Sequence, residues 1–101
     1  MPWIPVAKTE DLQQQKQLCI VHNGQPILLV WHNNTPYAIE NRCSHAFKPL
    51  TEGTIKNGRI QCPFHGATFD IASGQHLSPP AFKGIATFQV RLNQSSVELF
   101  T

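Results

Sequence analysis

The 101-residue chain is poor in charge: 14% of its residues are Asp, Glu, Lys or Arg, and eight basic against six acidic leave a formal net charge of +2. A surplus that small and dispersed argues against nucleic acid as a partner, and no basic run is interleaved with aromatics. No long apolar run is present and Pro2 and Pro5 break the N-terminal segment, so neither a membrane span nor a signal or transit peptide is expected, and the chain reads as soluble and cytoplasmic. Repeats, low-complexity tracts and interdomain linkers are absent, and the length is that of one domain with a modest core. There is no acid/base pair, nucleophile triad, phosphate loop or open metal position, so no substrate-turnover site is expected. Cysteine is scarce and odd in number at three, which is a poor basis for a secreted disulfide framework.

Short β-branched or aromatic runs dominate what remains. Trp3 to Val6, Leu18 to Val21, Ile27 to Trp31, Tyr37 to Glu40, Arg59 to Cys62, Thr68 to Ile71, Thr87 to Leu92 and Ser96 to Phe100 read as strands. Turn signals at Asn23-Gly24 and Asn33-Asn34 separate the early ones. The spacing predicts an all-β chain, a small antiparallel sandwich or barrel. One short helix is expected around Thr9 to Gln14, with Thr9 placed to cap it and Glu10 and Asp11 near its positive end.

Two Cys/His pairs carry the information in this chain: Cys43-Ser44-His45 and Cys62-Pro63-Phe64-His65, with 16 residues between His45 and Cys62. Each pair puts one thiolate and one imidazole on a short loop, and together they supply two sulfurs and two nitrogens. That set suits a tetrahedral zinc ion or a [2Fe-2S] cluster in which two histidines replace two cysteines on one iron. A common zinc finger keeps its cysteines on one knuckle and its histidines on one helix, whereas both knuckles here are mixed. Mixed loops suit a cluster with chemically different irons, one taking both sulfurs and the other both nitrogens. Cys19 is left over beside Leu18 and Ile20-Val21 and reads as a small buried hydrophobe on a strand.

With Gly66 after the second histidine, the chain resembles the Rieske family, whose loops read C-x-H and C-P-x-H-G. Leu50-Thr51-Glu52-Gly53, Phe69-Asp70, Ser73-Gly74 and Pro79-Pro80 follow in the family's order. Within that family it most resembles the ferredoxin components of bacterial aromatic-ring dioxygenase systems of the carbazole, biphenyl and naphthalene type. The resemblance implies one Rieske domain over 1–101, with a two-loop cluster-binding subdomain at about 41–82. It implies one [2Fe-2S] cluster held by Cys43, His45, Cys62 and His65, with Phe47, Lys48, Phe64, Gly66, Ala67, Pro79 and Pro80 around it. The diproline would close one side of the site, and Phe47 and Phe64 would form an apolar collar.

Departures from the respiratory branch of the family sharpen this. Lys48 and Phe64 stand at or near the places of that branch's second cysteines, so its loop-to-loop disulfide is excluded. Ala67 and Phe69 stand where its Ser and Tyr donate hydrogen bonds to cluster and ligand sulfur. Such donors favour the reduced, more negative state, and without them the expected midpoint lies near the bottom of the Rieske range, roughly −150 mV. The implied role is a monomeric electron carrier between an NAD(P)H-dependent flavin reductase and a terminal oxygenase, the chain having no length for a catalytic domain. A Rieske-fold small subunit of a nitrite reductase is the alternative, and four intact ligands weigh against it. His22, His32 and His76 read as surface or turn residues, Trp3 and Trp31 as packing aromatics, and Arg42, Lys56 and Arg59 as solvated surface. Lys48 stands above these as a contact for an acidic partner.

Overall fold

The computed structural model describes residues 3–43, 48–64, 66–78 and 83–100. The elements are β1 (Trp3–Lys8), α1 (Thr9–Gln15), β2 (Gln17–His22), β3 (Gln25–His32), β4 (Thr35–Glu40), β5 (Thr54–Lys56), β6 (Arg59–Gln61), β7 (Thr68–Asp70), β8 (Thr87–Phe88), β9 (Val90–Asn93) and β10 (Ser96–Phe100). They form three antiparallel sheets, ordered β1-β10-β9, β2-β3-β4-β8 and β5-β6-β7. The all-β antiparallel expectation is met, and no sheet closes into a barrel among the described residues.

β3 explains the layering. Its apolar run Ile27 to Trp31 is uninterrupted, so both faces of the strand must be covered. Ile27, Leu29 and Trp31 join Leu12, Ala38, Val97 and Leu99 in a core shared with the β1-β10-β9 sheet. Leu28 and Val30 join Ile39, Cys43, Leu50, Ile60, Cys62, Ala67, Phe69, Ile71 and Ile85 in a second core on the opposite face. The four-stranded sheet is therefore a middle layer, and both cysteines of the ligand pairs lie in the core on one side of it.

Two-residue turns set the strand registers. Asn23-Gly24, Asn33-Asn34 and Asn57-Gly58 all have positive φ at both central positions, the geometry that matches strand twist in tight hairpins and that Asn and Gly tolerate. Asn57-Gly58 joins β5 to β6, and β5 is the one strand that the sequence reading omits; three residues with a single apolar position are too few for alternation to register. The expected strand Thr87 to Leu92 is broken at Gln89. Its first part pairs with β4 and its second with β10, so one segment changes sheets and ties two layers together.

The helix spans the expected region, but Thr9 is not its cap. Lys8 occupies that position without a side-chain hydrogen bond. Thr9 N–H instead donates to Ser95 O at 2.9 Å, fixing the end of β1 to the β9-β10 turn and drawing Thr9 into the first turn, where its Oγ1 is buried without a partner.

On the outer face of the β1-β10-β9 sheet, Trp3 meets Phe100 edge-on at 5.2 Å and the Arg91 guanidinium lies 4.3 Å over the Trp3 ring. Arg91 also pairs with Glu98 at 2.7 Å. The hydrogen bond from Arg91, then that from Asn93, holds the Glu98 carboxyl below its ordinary value. A carboxyl depressed in the folded state contributes stability that is present above its unfolded pKa and lost as pH falls through the lower, native one. Glu98→Gln is therefore expected to be less stable than the parent at neutral pH and to converge with it as pH falls below the ordinary glutamate range and through the lower native value, read from melting curves across pH. A gap that persists unchanged into acid would reject the charge-based account.

Candidate metal centre

The first ligand loop leaves β4 and the second leaves β6, and the same closure ends both. Cys43 N–H donates to Lys48 O at 2.6 Å, and Cys62 N–H donates to Ala67 O at 2.7 Å. In each loop the cysteine closes on the carbonyl five residues ahead, so C-x-H and C-x2-H sit inside rings of equal length. Gly66 has φ of 79° and donates its N–H to Cys62 O at 3.1 Å. The left-handed backbone needed there is the physical reason for glycine after the second histidine.

Cys43 and Cys62 are 0% and 2% exposed, belong to one core cluster, and neither is in a disulfide. Two thiols brought together among Leu50, Ile60, Ala67 and Phe69, and not joined to each other, fit a role as soft ligands in a low-dielectric pocket. Of the surrounding residues expected from the sequence, Lys48 and Phe64 come together: both are exposed, and Lys48 Nζ lies 5.7 Å from the centroid of the Phe64 ring. This contact joins the end of the first loop to the second. Ala67 and Phe69 are fully buried. His45, Phe47, His65, Pro79 and Pro80 lie outside the described residues.

The feet of the segment carrying Pro79-Pro80 are fixed beside the second loop. Leu77 N–H donates to Thr68 O at 2.8 Å, Ser78 Oγ accepts from Thr68 N–H at 3.1 Å and lies 2.6 Å from its hydroxyl, and Phe69 bridges to His76. On the far side, Ile85 N–H donates to Gly74 O at 2.8 Å. Gly74 has φ of 78°, and a Cβ there would collide with the Ile85 carbonyl oxygen, so this turn admits no side chain.

Several residues that brace the loops went unread in the sequence. Asn41 is buried at the foot of the first loop; its Oδ1 accepts from Leu50 N–H at 2.8 Å and Thr51 N–H at 3.1 Å, and its Nδ2 donates to Thr51 Oγ1 at 2.8 Å. Gln17 on β2 accepts from Glu52 N–H and donates to Gly53 O, clamping the same segment to the middle sheet. Gly53 is pressed against β6, where a Cβ would sit 2.5 Å from Gln61 O. Side-chain bonds to distant backbone leave no periodic trace in a sequence, and only the glycine in Leu50-Thr51-Glu52-Gly53 hinted at them.

Cys19 lies on a strand as expected but is exposed, not buried. β2 is the edge of its sheet, and the face carrying Cys19 has the Thr51 hydroxyl beside it, 2.9 Å from Sγ, where a packed layer would otherwise stand. His22 and His32 are partly buried at strand ends, His76 is exposed, and Trp31 is a core residue. Arg42, Lys56 and Arg59 are exposed as expected.

Comparison with known proteins agrees with this geometry. The model of the Rieske [2Fe-2S] domain matches residues 2–89. The ferredoxin component of the naphthalene 1,2-dioxygenase/salicylate 5-hydroxylase systems of a Ralstonia species is 30% identical over 97 residues, 96% of this chain and 93% of that protein. Ferredoxin CarAc of Metapseudomonas resinovorans is 30% identical over 96 residues, 94% of this chain and 90% of that protein. Among solved structures, a chain from the complex of reduced oxygenase and oxidized ferredoxin in carbazole 1,9a-dioxygenase superposes with a TM-score of 0.88 at 28% identity, covering 98% of this chain and 93% of that one.

The chain belongs to the Rieske [2Fe-2S] family, whose cluster has cysteine and histidine ligands. Within it, both of these relatives, which the chain matches over about nine-tenths of their length, are ferredoxin components, electron carriers and not catalytic oxygenases. No helix among the described residues is long and apolar enough to cross a membrane.

Proposed function

We propose that Cys43, His45, Cys62 and His65 hold one [2Fe-2S] cluster, and that the chain passes single electrons from an NAD(P)H-dependent flavin reductase to the terminal oxygenase of an aromatic-ring dioxygenase system. The observation that carries this is the pair of equal loop closures at Cys43 and Cys62, with both thiols in one buried cluster. When bound, the cluster supplies a reversible one-electron store. The protein keeps both sulfurs dry, and the exposed Phe64 ring with Lys48 over it offers a small apolar and cationic rim to a partner. Such a rim suits a contact that forms and breaks quickly. Residues 1–101 act as one Rieske domain with the cluster-binding subdomain at about 41–82, working as a monomer in the cytoplasm. Lys48, Phe64, Gly66 and Ala67, with Phe47, Pro79 and Pro80, surround the cluster.

The test is an electron paramagnetic resonance spectrum of the dithionite-reduced protein, with a redox titration and reconstitution with reductase and oxygenase. A rhombic Rieske signal, a midpoint near roughly −150 mV and product formation that depends on this chain are expected. A silent spectrum from protein prepared with iron and sulfide would overturn the ligand assignment. A sound spectrum with no transfer to the oxygenase would overturn the pathway.

The low potential has its own check. Ala67 fills the position at which a hydroxyl would face cluster sulfur, and Ala67→Ser is expected to raise the midpoint. A hydrogen bond stronger by about 1.4 kcal/mol in the reduced state corresponds to about 59 mV for one electron. An unmoved midpoint with an unaltered spectrum would remove Ala67 from the cluster surroundings.

A further inference from the structure

The outer face of the β5-β6-β7 sheet breaks a pairing rule. Ile55, Ile60 and Phe69 point inward, which leaves Thr54, Lys56, Arg59, Gln61, Thr68 and Asp70 on the outside. Lys56 and Arg59 stand directly opposite each other across the hairpin, and like charges in that register are destabilising. The local carboxylate offsets only part of this repulsion. Asp70 is opposite Arg59 on β7 and contributes one negative charge, with its Oδ2 turned to Ser73, whose N–H donates at 2.9 Å and whose Oγ donates at 2.7 Å. Neither Lys56 nor Arg59 forms an ion pair among the described residues, where the recorded pair is Arg91 with Glu98 in another sheet.

Between them is an open hollow of about 300 Å³, lined by Thr54, Lys56, Asn57, Arg59, Gln61 and Thr68. Its polar side chains do not converge on a small ion. The Gln61 amide is turned to Gly66 O at 3.4 Å, and the Thr68 hydroxyl is engaged with Ser78 at 2.6 Å. What the face presents is two cations and one carboxylate, a net charge of +1 on a shallow surface with Lys56 and Arg59 in no ion pair among the described residues, and this complements carboxylates spread over another surface, not a caged anion. The face also adjoins the second ligand loop, since Gln61 immediately precedes Cys62 and Thr68 immediately follows Ala67.

We propose that the outer face of β5-β6-β7, through Lys56 and Arg59, is an electrostatic docking surface for a carboxylate-rich face of a protein redox partner. It lies beside the rim formed by Lys48 and Phe64 and is separate from it. This rests on the electron-carrier reading and deepens it: the rim makes the close contact, and the basic face steers the partner's approach. Steering of this kind changes association rates by about 10 to 1,000-fold and fades with ionic strength.

The experiment compares holo parent, Lys56→Glu/Arg59→Glu, and Lys8→Glu, which makes a charge reversal at the end of β1 in another sheet. Second-order rate constants are measured with the reductase as donor and with the oxygenase as acceptor, from low to high ionic strength. The expected result is a fall of about tenfold or more at low salt with at least one partner in the double reversal. Its salt dependence should flatten, its rates should converge with the parent at high salt, and its spectrum and midpoint should be unchanged. Rates with both partners that follow the Lys8→Glu control would overturn the proposal. So would a loss as large at high salt as at low. Inhibition of the parent by inorganic phosphate beyond that of sodium chloride at equal ionic strength would assign the face to a small anion instead. Failure of the parent to show a Rieske spectrum would end the carrier reading itself, a result distinct from any of these.

Discussion

Cys62→Ser and Cys43→Ser are each expected to yield colourless protein without iron, inorganic sulfide or a reduced-state resonance signal, and with a marked loss of thermal stability. Serine oxygen is a harder and poorer ligand for sulfide-bridged iron than thiolate. No other described cysteine is placed to substitute, because Cys19 lies exposed on the edge strand β2. Both positions are almost fully buried among apolar side chains. A serine hydroxyl left there without a partner costs about 1–3 kcal/mol. The larger loss comes from linkage: a group that binds the folded loops and not the unfolded chain contributes its binding free energy to folding. In a chain with a core this small, losing it should disorder the loops and lower the melting temperature together. Cys19→Ser is the internal control. It should keep iron, sulfide and colour, and shift stability by less than about 0.5 kcal/mol as an exposed substitution. Iron and sulfide analysis with absorption and melting curves decides the matter, and a Cys62→Ser protein with a full iron and sulfide complement would refute the ligand assignment.

The legible parts of this chain are those with a local grammar. Short β-branched or aromatic runs marked the strands, and the Asn-Gly and Asn-Asn pairs marked two hairpins because positive φ demands such residues. The Cys/His pairs were visible because a metal needs several donors within a few residues of one another. The layering was only partly legible. An apolar run such as Ile27 to Trp31 says that both faces are covered, but not that one face meets β10 and the other meets the ligand loops. The supports of the site escaped altogether. Asn41 and Gln17 act on backbone groups 9 to 36 residues away, and a polar residue near a strand end reads as solvated until the fold brings its partners in. Cys19 misled for the converse reason: its neighbours are apolar, but its own face of β2 is left uncovered at a sheet edge.

Phe69→Ala is expected to be the most damaging substitution that leaves every candidate ligand in place. Phe69 is wholly buried, pairs with Ile60 across β6-β7, bridges to His76, and packs in the core that contains Cys43, Cys62, Leu50 and Ala67. It therefore supports the second ligand loop and the near foot of the Pro79-Pro80 segment at once. Truncating a buried phenylalanine costs about 3–5 kcal/mol, a large share of the about 5–15 kcal/mol that holds a domain of this kind. At about 4–8 °C per kcal/mol for a chain of roughly 100 residues, the melting temperature should fall by more than about 10 °C. Phe69→Leu, which keeps most of the apolar volume, should lose distinctly less. The two variants separate packing from ligation. If Phe69 acts through packing, the holo fraction of each variant follows its stability, and whatever holo protein remains shows the parent's resonance spectrum. If Phe69→Ala melted like the parent and kept its iron, the core around Cys43 and Cys62 would not be what holds the two loops in register.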